Sequence, residues 1–202
     1  MDRFKPFLPQ VTELQWQQLH HYKDLLLEWN EKVNLISRKD TEFLFEKHIL
    51  PALPAITLRC FEPLKTILDV GTGGGIPGIP LAILFPDKQF TLLDATHKKI
   101  EAVEAMSKAL QLKNVRTQWE RLENTKEKYD GIVGRGVTAV VEFIQMTRHY
   151  LKNKSSTIIY WTGGEMSTLL PNGSLKRQTH YLFLDQFFKQ EFCATKKILW
   201  WT

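Results

Sequence analysis

Apolar residues in the first part of the chain recur at helical spacing. Between positions 12 and 34 they fall at Leu19, Tyr22, Leu25, Leu26, Trp29 and Val33, a period near 3.6 that predicts an amphipathic helix. Thr12 and Gln15 stand three apart at its start, the spacing of a capping box. A second helical pattern runs through Phe43, Leu44, His48 and Leu50 toward Pro51 and Pro54, with Asp40 placed to cap it. From residue 65 the texture changes to short β-rich runs: "TILDV" (66–70), "FTLLD" (90–94), "VRTQW" (115–119), "YDGIVG" (129–134) and "STIIYW" (156–161). Segments of helical period, such as 98–110 and 137–151, fill most of the gaps. Alternating strand and helix predict a parallel sheet with helices on both faces.

The tail breaks this rhythm. "RQTHYLFL" (177–184) and "ATKKILWWT" (194–202) are both β-rich, and only nine residues separate them. A parallel crossover needs about a dozen residues or more, so these two runs are expected to pair antiparallel. The expected fold is therefore α/β, a mostly parallel seven-stranded sheet with one antiparallel strand. Residues 1–60 form an N-terminal helical cap on a sheet domain spanning 61–202, the two making one compact unit.

Composition narrows the function classes. At 202 residues, 43% apolar and 24% charged, the chain suits one globular domain with a real core. Cys60 and Cys193 are the two cysteines, in neither C-x-x-C nor histidine-spaced arrangement, so no disulfide framework and no metal site is expected. The opening "MDRFKPFLPQ" lacks the layout of a signal peptide, and "IPGIPLAILF" is too short and proline-broken to span a bilayer. A cytoplasmic protein with no membrane partner is expected. Lys and Arg number 27 against 22 for Asp and Glu, a net charge of +5 that favours a polyanionic partner.

The candidate chemistry starts where the first strand ends. Residues 71–75, "GTGGG", hold four glycines in five positions. In a parallel α/β sheet ligands bind beyond the carboxyl ends of the strands, and glycine there lets a ligand approach the backbone where a Cβ would block it. Gly71, Thr72, Gly73 and Gly75 are therefore candidate cofactor residues. Asp94 ends the next predicted strand, where a carboxylate accepts both hydroxyls of a ribose. The run "GGGIPG" (73–78) formally matches the dinucleotide fingerprint G-x-G-x-x-G, with an acid about 20 residues on. Against a dinucleotide and for S-adenosylmethionine stand Asp69 just before the first glycine, the whole "LDVGTGGG" frame, the antiparallel last strand, and a length that leaves no second substrate domain.

These residues carry a family resemblance. The chain resembles the RsmG family, also called glucose-inhibited division protein B, through "NLIS" (34–37), "KHIL" (47–50), "DVGTGGGIPGIPLAI" (69–83), "LLDATHKK" (92–99), "ERLE" (120–123) and "GRGVTA" (134–139). The resemblance extends from the opening helix to about residue 164. It implies a Rossmann-like methyltransferase fold, S-adenosylmethionine as cofactor, and methylation of N7 of a guanosine in small-subunit (16S) ribosomal RNA. The partner it implies is 16S RNA or the small ribosomal subunit; a monomer is expected. It places Gly71, Ile76, Leu122, Glu123 and Arg135 at the cofactor, with Asp94 in the ribose position. Three positions depart from the family pattern: Pro51 where an aspartate is usual, Gly134 where a serine precedes the arginine, and Thr162 where a lysine precedes the glycine after strand five.

N7 transfer agrees with the residues themselves. Guanine N7 already presents a lone pair, so positioning for in-line attack is the main task and no proton need be removed. The sequence offers no obvious general base. No two prolines are adjacent and neither cysteine follows a proline, which argues against exocyclic-amine and C5 transfer. Arg135 is the candidate positioning residue. An arginine donating to N7 would block the nucleophile, so it is expected to hold the cofactor carboxylate, guanine O6 or a phosphate. Arg38, Lys39, Lys98, Lys99 and Arg121 form a candidate basic rim for RNA phosphate. His48 is expected to be a hydrogen-bonded structural group, and Trp200 and Trp201 core or edge packing. Two other readings remain open: a methyltransferase fold acting on a small molecule or protein, and a noncatalytic RNA-binding protein that retains the cofactor pocket.

Overall fold

The computed structural model describes residues 2–170 and 178–202; Arg177, first in the predicted 177–184 strand, lies outside them. The described strands are β1 (Thr66–Val70), β2 (Gln89–Asp94), β3 (Val115–Trp119), β4 (Gly131–Arg135), β5 (Thr157–Thr162), β6 (His180–Phe183) and β7 (Lys197–Trp201). They form one sheet in the order β3-β2-β1-β4-β5-β7-β6. The first five are mutually parallel, and β7 runs antiparallel to both β5 and β6. The short connection between β6 and β7 thus gives the expected antiparallel pair, and β7 inserts between β5 and β6.

The helices are α1 (Glu13–Asn30), α2 (Gly78–Leu84), α3 (His97–Ala109), α4 (Val140–Thr147) and α5 (Met166–Leu169). The capping box of α1 is present: Gln15 N donates to Thr12 Oγ1 at 3.3 Å, and Thr12 N donates to Gln15 Oε1 at 2.9 Å. The helix stops at Asn30 instead of running to 34. The Asn30 carboxamide oxygen accepts from the Leu35 and Ile36 amides, both at 2.9 Å, and folds the chain back.

Two further expectations are corrected. The second helical pattern is a π-helical turn over Phe45–Ile49 followed by a 3₁₀ stretch over Leu50–Thr57, after a separate 3₁₀ turn at Arg38–Asp40; Pro51 and Pro54 remove amide donors that a regular α-helix needs. Asp40 caps no helix; its carboxylate takes the side chains of Lys47 at 2.8 Å and His48 at 3.2 Å. The expected 137–151 helix is confined to α4 plus the turn Arg148–Tyr150. The Val137 and Thr138 amides donate to Tyr160 Oη at 3.0 and 3.3 Å, which holds them out of the helix.

The sheet's two faces carry the core. One face packs Ile67, Phe90 and Ile159 with Trp16, Leu19, Leu26 and Ile49 from the N-terminal segment. The other packs Leu68, Ile132, Phe143 and Tyr160. Burying both faces is why β1, β4 and β5 are near-continuous apolar runs.

Candidate active site

The carboxyl ends of β1, β2 and β4 meet at the glycine loop. Thr72 N donates to the Leu93 carbonyl at 2.9 Å, which ties the loop to β2. Gly73, at φ +58°, donates its amide to Asp94 Oδ2 at 3.0 Å, and Thr96 N donates to Asp94 Oδ1 at 2.8 Å. A Cβ on Gly73 would meet only the Gly71 carbonyl oxygen, at 3.9 Å, so this side of the loop is open.

Two of the glycines answer to a protein neighbour instead. A Cβ on Gly74 would stand 2.9 Å from Leu26 Cδ1, and one on Gly75 would stand 2.6 Å from Ile79 Cδ1 and 3.4 Å from Tyr22 Oη. Tyr22 is fully buried and donates to the Gly74 carbonyl at 2.8 Å. The loop is therefore seated on α1 through Gly74, while Gly75, at φ +94°, packs against Ile79 of α2. Thr72 and Ile76 are buried as well. Beneath the loop Asp69 Oδ2 accepts from Thr72 Oγ1 at 2.6 Å and Gly78 N at 2.9 Å, while Oδ1 is buried with no partner. Burial pushes the Asp69 carboxyl up to about 7.

Beside the loop lies a cleft of about 510 Å³ between the N-terminal segment and the ends of β4, β5 and β7. Leu35 lines it and packs on Gly74, and Gly136 and Thr138 line it on either side of Val137, which packs on Gly71. Arg135 ends β4 and lines the cleft, its Nη1 donating to the His48 carbonyl and its Nη2 meeting His48 Nδ1, both at 3.0 Å. His48 Nε2 in turn meets Asp40, the one carboxylate in the lining among the described residues. Lys47 holds that carboxylate below the usual range despite some burial.

The departing positions gather here too. Pro51 and Thr162 line the cleft, and the Pro51 carbonyl accepts from Trp161 Nε1 at 2.9 Å. A Cβ on Gly134 would stand 2.6 Å from the Phe143 ring, so that ring takes the space a serine would need.

Other candidates lie outside the cleft lining. Leu122 is buried in the turn Leu122–Asn124, flanked by exposed Glu123 and Arg121. Lys98 is exposed and Lys99 half-buried in the first turn of α3, and exposed Arg38 and Lys39 follow the cleft-lining 35–37 segment. None of these five basic residues lines the cleft itself. Trp201 is buried, its Nε1 donating to Thr179 Oγ1 at 2.7 Å, and Trp200 stacks on His180.

Sequence reasoning missed Lys47, Lys196 and Lys197 in the cleft wall. For Lys196 and Lys197 the signal was the "KK" near the start of the last predicted strand, which gains meaning only once β7 is known to lie beside β5.

The model of the family described as GidB, rRNA small subunit methyltransferase G, matches residues 15–180. A protein of Flavobacterium johnsoniae named ribosomal RNA small subunit methyltransferase G is 42% identical over 204 residues, covering 98% of this chain and 96% of that one. One of the same name from Cytophaga hutchinsonii is 38% identical over 201 residues, covering 97% and 94%. Among solved structures, the ribosomal protein L11 methylase of Lactobacillus delbrueckii subsp. bulgaricus shares the fold, with a TM-score of 0.54, 18% identity and coverage of 75% and 76% of the two chains.

Proposed function

The chain belongs to the rRNA small subunit methyltransferase G family, and on that premise we propose that it transfers the methyl group of S-adenosylmethionine to N7 of a guanosine in 16S ribosomal RNA. One observation carries the reading: the glycine loop bonded to Asp94 opens beside a cleft that offers cations but, among the described residues, no free base. Asp40 is engaged by Lys47 and His48, and both nitrogens of His48 are engaged. A nucleophile that must first lose a proton is poorly served there. Guanine N7 needs only to be aimed.

The residues present fit the cofactor. Asp94 closes β2 where ribose hydroxyls would donate to it, the open side of Gly73 gives backbone access, and the unpartnered Asp69 Oδ1 lies under the loop. S-adenosylmethionine supplies an electrophilic methyl on a sulfonium. The chain's part is to bind and orient: Gly71, Thr72, Gly73 and Ile76 through the loop, Leu122 and Glu123 beside the adenosine, and Arg135 at the junction of loop and cleft. Gly75 lets the loop close on Ile79 of α2. Arg38, Lys39, Lys98, Lys99 and Arg121 form the rim for RNA phosphate.

Residues 1–60 act as a helical cap that completes a methyltransferase domain spanning 61–202. The working unit is a monomer in the cytoplasm, on 16S RNA or the small ribosomal subunit. No described helix is long and apolar enough to cross a membrane. The test is transfer of tritium-labelled methyl to 16S RNA and to assembled small subunits, followed by borohydride–aniline cleavage at 7-methylguanosine. Label at one such guanosine is expected. Label on another atom, in protein, or nowhere overturns the proposal.

A further inference from the structure

The cleft holds more positive charge than its own carboxylate balances. Lys47 is paired with Asp40. Among the described residues, Arg135 is bonded to the His48 carbonyl and imidazole alone. Lys197 is 2% exposed, and its ammonium donates to the carbonyl oxygens of Gly164 and Thr195, neither of them charged. Lys196 is exposed beside it, its Nζ 3.5 Å from where a Cβ on Gly163 would stand. Among the described residues no carboxylate forms a salt bridge with Arg135, Lys196 or Lys197; Asp69 and Asp40 act on Arg135, and Glu165 on Lys197, only at longer range.

A buried cation without a counter-ion is costly, and here tertiary structure brings buried Lys197, half-buried Arg135 and exposed Lys196 to one cavity. The strand register does this. β7 places Lys197 opposite Thr162, at the carboxyl end of β5, while Arg135 ends the neighbouring β4. Resting on the methyltransferase reading, we propose that Arg135, Lys196 and Lys197 form a phosphate site that holds the backbone of the nucleotide being methylated.

The cofactor's own carboxylate is the other anion available. It cannot balance this cleft, because S-adenosylmethionine brings a sulfonium and an ammonium against one carboxylate and adds net positive charge. A nucleic-acid phosphate subtracts charge, and it takes charge-assisted hydrogen bonds from lysine and arginine alike. On this arrangement the phosphate is anchored from β4 and β7, and the base lies between it and the glycine loop.

Calorimetry on the full chain with S-adenosylhomocysteine bound would compare guanosine 3′,5′-bisphosphate with guanosine. The bisphosphate is expected to bind at least about tenfold more tightly, the scale of one charge-assisted hydrogen bond. Lys196→Ala, at an exposed position that leaves the core intact, is expected to remove most of that advantage. Its preference for S-adenosylmethionine over 5′-methylthioadenosine, which lacks the carboxylate, should stay as in the wild type. Equal binding of guanosine and its bisphosphate, or no binding of either, overturns the site. So does a bisphosphate advantage that survives Lys196→Ala. Loss of the cofactor preference instead assigns the cations to the cofactor carboxylate and also overturns it. The methyltransferase reading is judged separately by labelled transfer: a chain that transfers nothing yet prefers the bisphosphate keeps the phosphate site and loses the activity.

Discussion

Arg135 Nη2 stands 3.0 Å from His48 Nδ1, and this contact decides the histidine's tautomer. A guanidinium only donates, so Nδ1 accepts. The ring proton is then on Nε2, which donates to Asp40 Oδ2 at 3.2 Å. The chain Asp40–His48–Arg135 links the N-terminal segment to the end of β4 and orients the guanidinium from behind. Protonating His48 would set two donors against each other.

His48 is held below its ordinary value of 6.5, first by burial, then by the charges of Arg135 and Lys196, with Asp40 opposing. A base whose folded value is depressed contributes stability that is present above its unfolded value and lost as pH falls. Stability is thus expected to fall as pH drops below about 6.5. His48→Gln, which retains an acceptor and a donor but cannot titrate, should show a shallower loss of Tm between pH 6.5 and about 5. Parallel curves for the two proteins would remove His48 from the acid response.

Asp69 runs the other way. Its folded value is raised from 3.8 to about 7 by burial, so its contribution is fully present below its unfolded value and lost as pH rises through about 7. Asp69→Asn should flatten this decline, which amounts to on the order of 4 kcal/mol at most between pH 4 and 7. Urea unfolding at several pH values measures it. A variant with the wild-type pH slope would mean that Asp69 is not held neutral.

Gly134→Ser tests whether the departure is enforced by packing. The new Cβ would stand 2.6 Å from Phe143, inside a buried cluster, and overpacking of this kind costs roughly 1–3 kcal/mol. In a Phe143→Leu background the same serine should cost less. Additivity in that double-mutant cycle would rule out the Phe143 ring as the reason for glycine.

Asp94→Ala should weaken S-adenosylmethionine binding by about 1.5–3 kcal/mol, the scale of hydrogen bonds to a charged group. The Gly73 and Thr96 amides also lose their acceptor, so part of the loss is a looser loop. Wild-type affinity by calorimetry would take Asp94 out of the ribose position.

Replacing Lys98 and Lys99 together by Ala should lower RNA affinity and flatten its log–log salt slope by up to about two units. Neither residue lines the cleft, so bisphosphate binding there should change little. An unchanged slope would mark the pair as solvated surface.

What could be read in advance was what local pattern encodes. The capping box of α1 depends on Thr12 and Gln15 alone, and β1 and β3 match their predicted runs residue for residue because those runs are short, β-rich and bounded by turns. The nine-residue spacing before β7 dictated its antiparallel direction through chain length alone. The apolar spacing from Phe43 to Leu50 is helical, yet Pro51 and Pro54 and the side chains of Lys47 and His48 drawn to Asp40 leave a π-helical turn and a 3₁₀ stretch there instead of an α-helix.

The sequence by itself determined the strand–helix alternation, the glycine loop and the carboxylate that answers it, because each is set by residues close in the chain. Only the tertiary structure decided that Gly74 makes room for α1, that His48 fixes Arg135 from 87 positions away, and that Lys196 and Lys197 face the same cavity as Arg135. Those relations depend on strand order and on which helix covers which face, and these follow from burying the whole core at once, which no short window of sequence encodes.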